Sequence, residues 1–123
     1  MVKPAAILFG IVFLAVGILG FVPGITTNEM LLGIFHVNVA HNVVHIASGL
    51  VFLLAGMAGV GPARMWFRIF GIVYAIVAIL GFMTPSGLIL GMISNNVADT
   101  WLHVVLAAAM LFLGFVAKDT ATV

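Results

Sequence analysis

A chain of 123 residues that is 65% hydrophobic, with four basic and three acidic side chains, has room for one domain and too little polarity for a water-facing surface. Soluble domains carry about 25% charged residues; this chain carries 6%, which excludes an ordinary soluble fold. Net charge is +1 and there is no cysteine: no basic stripe exists, so no nucleic-acid partner is expected, and disulfides, thiolate metal sites and cysteine nucleophiles are excluded.

Four apolar stretches approach the roughly 20 residues that cross a bilayer, at about 4–22, 38–58, 66–83 and 97–117. The first follows Lys3 and has the outline of a signal peptide. No small-x-small cleavage site follows Phe21, however, and the stretch has a partner later in the chain, which a signal would not. Phe9-Gly10-Ile11-Val12 through Ile18-Leu19-Gly20-Phe21 returns as Phe70-Gly71-Ile72-Val73 through Ile79-Leu80-Gly81-Phe82, with nine of thirteen positions identical. A second register continues the match. Leu32-Gly33, Asn38-Val39-Ala40-His41 and His45 correspond to Leu90-Gly91, Asn96-Val97-Ala98-Asp99 and His103.

Repetition of this kind governs the whole reading. It predicts two tandem helix–loop–helix units, about 4–58 and 66–117, within a single 1–123 transmembrane domain. The expected fold is an all-α integral membrane four-helix bundle with pseudo-two-fold symmetry. Each unit contains two spans, so both keep the same topology and the axis runs along the membrane normal, unlike inverted-repeat transporters. Gly10, Gly17 and Gly20, partly matched by Gly71, Ala78 and Gly81, mark close helix–helix contact.

The connections at 23–37 and 84–95 each begin with a proline turn and become apolar again, as Met30 to Phe35 and Leu88 to Ile93. They are too short to span and read as interfacial or re-entrant pieces over the bundle mouth. The 59–65 linker reads as a plain tight connection between the two units. Four spans place the N-terminus, that linker and the C-terminus on one side, together with Lys3, Arg64, Arg68 and Lys118. No Lys or Arg lies on the other side, so the positive-inside rule puts both termini in the cytoplasm. Trp66 and Trp101 suit the interfacial aromatic belt, and Tyr74, inside the third span, needs a hydrogen-bond partner.

The second and fourth spans open with Asn38 and Asn96, among the best helix N-caps, and Asp99 follows Asn96 at capping-box spacing. Capping accounts for the asparagines and for part of Asp99. It does not account for the histidines. His41 and His45 share one helix face, and Asp99 and His103 repeat that spacing, so the bundle should hold three imidazoles and a carboxylate. Ionisable groups within spans are costly and face the interior, where they pair or act.

His41, His45, Asp99 and His103 have the chemistry of a four-coordinate transition-metal site, for zinc, copper, nickel or iron, with Asn38 and Asn96 as caps or outer supports. The same side chains can instead form a metal-free hydrogen-bonded network that locks the helices. A third reading takes the repeat-equivalent His45 and His103 as axial ligands of a haem electron carrier, which leaves His41 and Asp99 surplus. His36, matched by Ser94, stands outside the symmetry as an interfacial side chain. No enzyme class is selected: Asn42 after His41 breaks the HExxH pattern, and Ser48 and Ser94 lack an activating base. One acid makes a poor ion filter unless copies assemble into a homo-oligomer.

The run Phe35-His36-Val37-Asn38-Val39-Ala40-His41-Asn42-Val43-Val44-His45, with Asn95-Asn96-Val97-Ala98-Asp99-Thr100-Trp101-Leu102-His103, resembles a small bacterial membrane family, domain of unknown function 4383. The resemblance covers nearly the whole chain and implies four helices in the bacterial cytoplasmic membrane, with no assigned activity. At the level of four helices the chain is also similar, more distantly, to the DoxX-like membrane proteins.

Overall fold

Where water is absent, a helix is the only open-ended way to satisfy every backbone N–H and C=O, and the long apolar runs all take it. The computed structural model describes residues 1–118. Its helices are α1 (Val2–Leu19), α2 (Val39–Ala58), α3 (Val60–Met83) and α4 (Val97–Leu111), the last continued by a π-helical turn over Phe112–Val116. All four are long and apolar enough to cross a membrane. Pro4 and Pro62 fall in the first turns of α1 and α3, where a missing N–H leaves no helical bond unmade. The outward faces are apolar apart from Lys3 and Arg68 near one end of the bundle, with Ile11, Leu54 and Ile79 more than half exposed, as contact with lipid requires.

One expectation about the connections is corrected and another is given its structure. The linker between the units is not 59–65: α3 already starts at Val60, and Gly59 alone, at φ 137°, turns the chain. The outer connections, read as apolar interfacial pieces, fold as small β-hairpins. The first pairs β1 (Thr26–Thr27), β2 (Met30–Leu31) and β3 (Phe35–His36); the second pairs β4 (Gly87–Ile89) with β5 (Ile93–Asn95). Leu32-Gly33 and Leu90-Gly91 turn them with consecutive positive φ values, inside three-residue loops that join the paired Leu31 and Phe35 and the paired Ile89 and Ile93. Short ladders let these connections satisfy their own backbones at the mouth of the bundle.

Helix α1 lies along α2, and α3 along α4. The expected glycine contacts carry this packing. A Cβ at Gly10 would sit 2.7 Å from the Leu53 nitrogen and 2.9 Å from the Gly49 carbonyl oxygen, and one at Gly49 would sit 2.7 Å from the Leu14 nitrogen. Backbone therefore meets backbone along this seam. Gly20 receives the Asn42 side chain, and Gly81 receives Thr100. Between the helices, Phe13, Phe52, Phe67 and Tyr74 form an aromatic core, with Phe13 and Phe52 stacked at 5.9 Å. Helices α1 and α4, in contrast, hardly approach each other.

Arg64 and Arg68 reach from α3 to the end of α4. Arg64 Nη1 donates to the Ala117 carbonyl at 2.7 Å and Arg68 Nε to the Gly114 carbonyl at 2.7 Å. These carbonyls end the helix and lack helical partners; the guanidinium groups satisfy them and favour the negative end of the dipole.

Candidate metal centre

Asn38 and Asn96 start α2 and α4 in the same way, at φ −138° and ψ −177° and at φ −141° and ψ −177°. The Asn38 side-chain oxygen accepts from the His41 N–H at 2.9 Å, and that of Asn96 from the Asp99 N–H at 2.9 Å. Their amide groups cross over. Asn38 Nδ2 donates to the Met92 carbonyl of the second connection, and Asn96 Nδ2 to the Ile34 carbonyl of the first, each at 2.9 Å. Each cap thus ties its helix to the opposite hairpin.

Below the hairpins the structure brings together His41, His45 and His103, all at least 97% buried. One ring nitrogen from each lies within 4.8 Å of the others. The His41 ring is 4.5 Å from that of His45 and 5.8 Å from that of His103, centroid to centroid. Aromatic rings hold them from beneath: Phe13 lies 5.7 Å from His45, and Tyr74 meets His103 edge-on at 5.7 Å. Tyr74 finds the partner it needs in Ser48, 3.1 Å from hydroxyl to hydroxyl.

His41 has its tautomer set by the backbone. The His36 carbonyl, 3.1 Å from Nδ1, can only accept, so Nδ1 carries the proton and the neutral ring presents a bare lone pair at Nε2. That Nε2 is buried without a partner, as are Nδ1 of His45 and Nδ1 of His103. An unpaired buried polar atom costs about 1–3 kcal/mol. Three such atoms in one cluster concentrate that cost where a shared partner would relieve it. The donor atoms are close to coordinating distance: at the 4.8 Å limit of their separation, an ion at the centre of an equilateral set would lie about 2.8 Å from each. Rings shifting inward by about 0.7 Å would reach the usual Zn–N length. A haem between His45 and His103 would require the space that His41 fills.

Asp99 is placed differently from the histidines. It does not belong to the group whose donor atoms converge. Its Oδ2 accepts the Asn96 N–H at 3.0 Å, completing the capping box, and the His36 N–H at 3.1 Å. His36 is therefore gripped at both ends of its backbone, because its carbonyl also accepts from Ser94 Oγ at 3.1 Å. The His36 side chain lies outside the cluster, with Nε2 3.3 Å from Glu29 Oε1. Sequence reasoning missed this chain of contacts from Asp99 through His36 to His41. It also missed the buried Asn95, whose Nδ2 donates to the Thr84 carbonyl at 2.8 Å and to Thr100 Oγ1 at 3.1 Å.

Four apolar helices roofed by two clasped hairpins, with imidazoles enclosed beneath, define a multi-pass membrane protein with a buried histidine cluster. Its residues 3–116 match the profile of a domain of unknown function, DUF4383, and the chain belongs to that family. The chain matches no curated protein and no solved structure.

Proposed function

We propose that this is a membrane metal-binding protein whose ion is held by His41, His45 and His103. The observation that carries the reading is the three buried imidazole nitrogens without partners, on rings whose donor atoms converge to within 4.8 Å. Three neutral imidazoles suit zinc, copper or iron, and they leave one coordination position open, the pattern of sites that bind a further ligand. Asp99 serves from behind: it fixes His36, whose carbonyl orients His41, as outer partners orient metal-bound histidines elsewhere. The crossed Asn38 and Asn96 bonds support two tandem units, about 4–58 and 66–117. Charge placement supports a bacterial cytoplasmic membrane location with the termini inside, so the site faces the outer leaflet.

Elemental analysis of detergent-purified, untagged protein tests the reading. Wild type should carry near-stoichiometric metal, and His45→Ala and His103→Ala should each lose it while the protein stays folded in membranes. The second reading, a helix clamp without a metal, draws on the crossed asparagine bonds and the hairpin clasp. A wild type free of metal after incubation with zinc, copper and iron, with both variants merely less stable, would establish that reading instead.

A further inference from the structure

A cleft of about 190 Å³ runs between α1 and α4, which make few backbone approaches to each other, and is lined by Leu8, Phe9, Val12, Phe13, Leu102 and Leu106 and by His45. Leu8 and Val12 are about half exposed on the outer surface, so the cleft opens sideways to the phase that surrounds the helices. Its volume exceeds that of an engineered apolar cavity, about 150 Å³, that stays dry and takes up benzene. His45 is the single polar side chain of the lining. It is 97% buried, and neither of its ring nitrogens has a hydrogen-bond partner among the described residues, so Nε2 is left for the cleft when Nδ1 serves the cluster.

We propose that this cleft takes a neutral, lipid-borne molecule bearing one hydroxyl group, its apolar body between α1 and α4 and its hydroxyl on His45. The surroundings are hydrocarbon, so the occupant arrives through the membrane. It is neutral because no charged side chain lines the cleft, and an unpaired carboxylate or phosphate would be buried there at great cost. It carries a hydroxyl because that group both donates and accepts, and so pairs with either tautomer of the imidazole. The assignment does not depend on a metal, since the imidazole has two nitrogens and His45 can turn one to the converging set and the other to the cleft.

The test uses full-length protein in phosphatidylcholine nanodiscs and two photoreactive probes, a diazirine-bearing hexadecanol and the matching hexadecane, with labelled positions read by mass spectrometry. One hydrogen bond predicts about fivefold more labelling of the α1 and α4 cleft residues by the alcohol than by the hydrocarbon. That preference should vanish in His45→Phe, which keeps a ring and removes the polar atoms. Val12→Trp should fill the cleft and reduce labelling there by both probes, and Ile79→Trp, on the lipid face of α3, should change neither. The same preference should persist after chelator treatment, so a failure to bind metal leaves it untouched. Equal labelling of wild type by the two probes would overturn the proposal and make the cleft a seat for ordinary acyl chains. Labelling indifferent to Val12→Trp would overturn it too, and decides the matter if His45→Phe does not fold.

Discussion

Replacing Asp99 by Asn separates an outer support from a metal ligand. In the folded protein Asp99 Oδ2 accepts two backbone N–H groups, from Asn96 at 3.0 Å and from His36 at 3.1 Å. Hydrogen bonds to a charged partner are worth about 1.5–3 kcal/mol and neutral ones about 0.5–1.5. An isosteric amide that still accepts both should therefore weaken the pair by about 2 kcal/mol in total. Much of that loss falls on the His36 backbone, whose carbonyl sets the His41 tautomer from 3.1 Å away. Loss of outer partners typically lowers metal affinity by about 10–100-fold. Asp99→Asn should accordingly keep one ion per chain at saturation and bind it about 10–100-fold more weakly, read by competition against a chelator of known affinity. A stoichiometry falling to zero in folded Asp99→Asn, as in His45→Ala, would make Asp99 a direct ligand. Unchanged affinity would mean that His36 transmits nothing, and either result refutes the relay.

Other consequences are more local. Gly49→Val forces a branched side chain against the Leu14 and Gly10 backbones and should destabilise the α1–α2 pair by about 1–3 kcal/mol. Unfolding in mixed detergent and denaturing micelles measures this, and unchanged stability would mean the helices are not held at backbone contact. Asn95→Ala strips the Thr84 carbonyl and the Thr100 hydroxyl of a fully buried partner and should cost about 1–3 kcal/mol in the same assay, while metal stoichiometry holds. The chain has no cysteine, so single cysteines report topology directly. In intact cells an impermeant maleimide should modify Ser86→Cys and spare Gly61→Cys; the reverse pattern would invert the assigned orientation.

The spans were legible because hydropathy over some twenty residues leaves little choice of structure, and the helix starts because asparagine caps leave a local signature. The glycine seams were legible for the same reason, small residues at helical spacing. The hairpins were not. Met30 to Phe35 and Leu88 to Ile93 are apolar throughout, so they lack the alternation that announces a strand, and their turns use leucine at positive φ where glycine or asparagine is usual. The Asp99–His36–His41 relay left no sequence trace, because two of its links are a backbone N–H and a backbone carbonyl, which every residue has. Gly59 as the whole linker was hidden by Pro62, which looks like a breaker but is tolerated in a first turn.

The repeat brought the site into view and also concealed its asymmetry. Asp99 occupies the position of His41 in the second unit, so by equivalence alone the two should do the same work. Chemistry divides them. The Asp99 carboxylate accepts the N–H groups of Asn96 and His36 at one oxygen, and in doing so it anchors the residue whose carbonyl orients His41. The matched residues His36 and Ser94 diverge in the same sense, one supplying that carbonyl and the other donating to it at 3.1 Å. The second unit supplies Asp99 and Ser94, which hold His36, and the first supplies two of the three converging imidazoles. A duplicated hairpin whose copies were identical would set four equal groups about the axis. With an acid where a fourth imidazole would stand, the cluster has three converging ring nitrogens and a carboxylate that holds the His36 backbone instead.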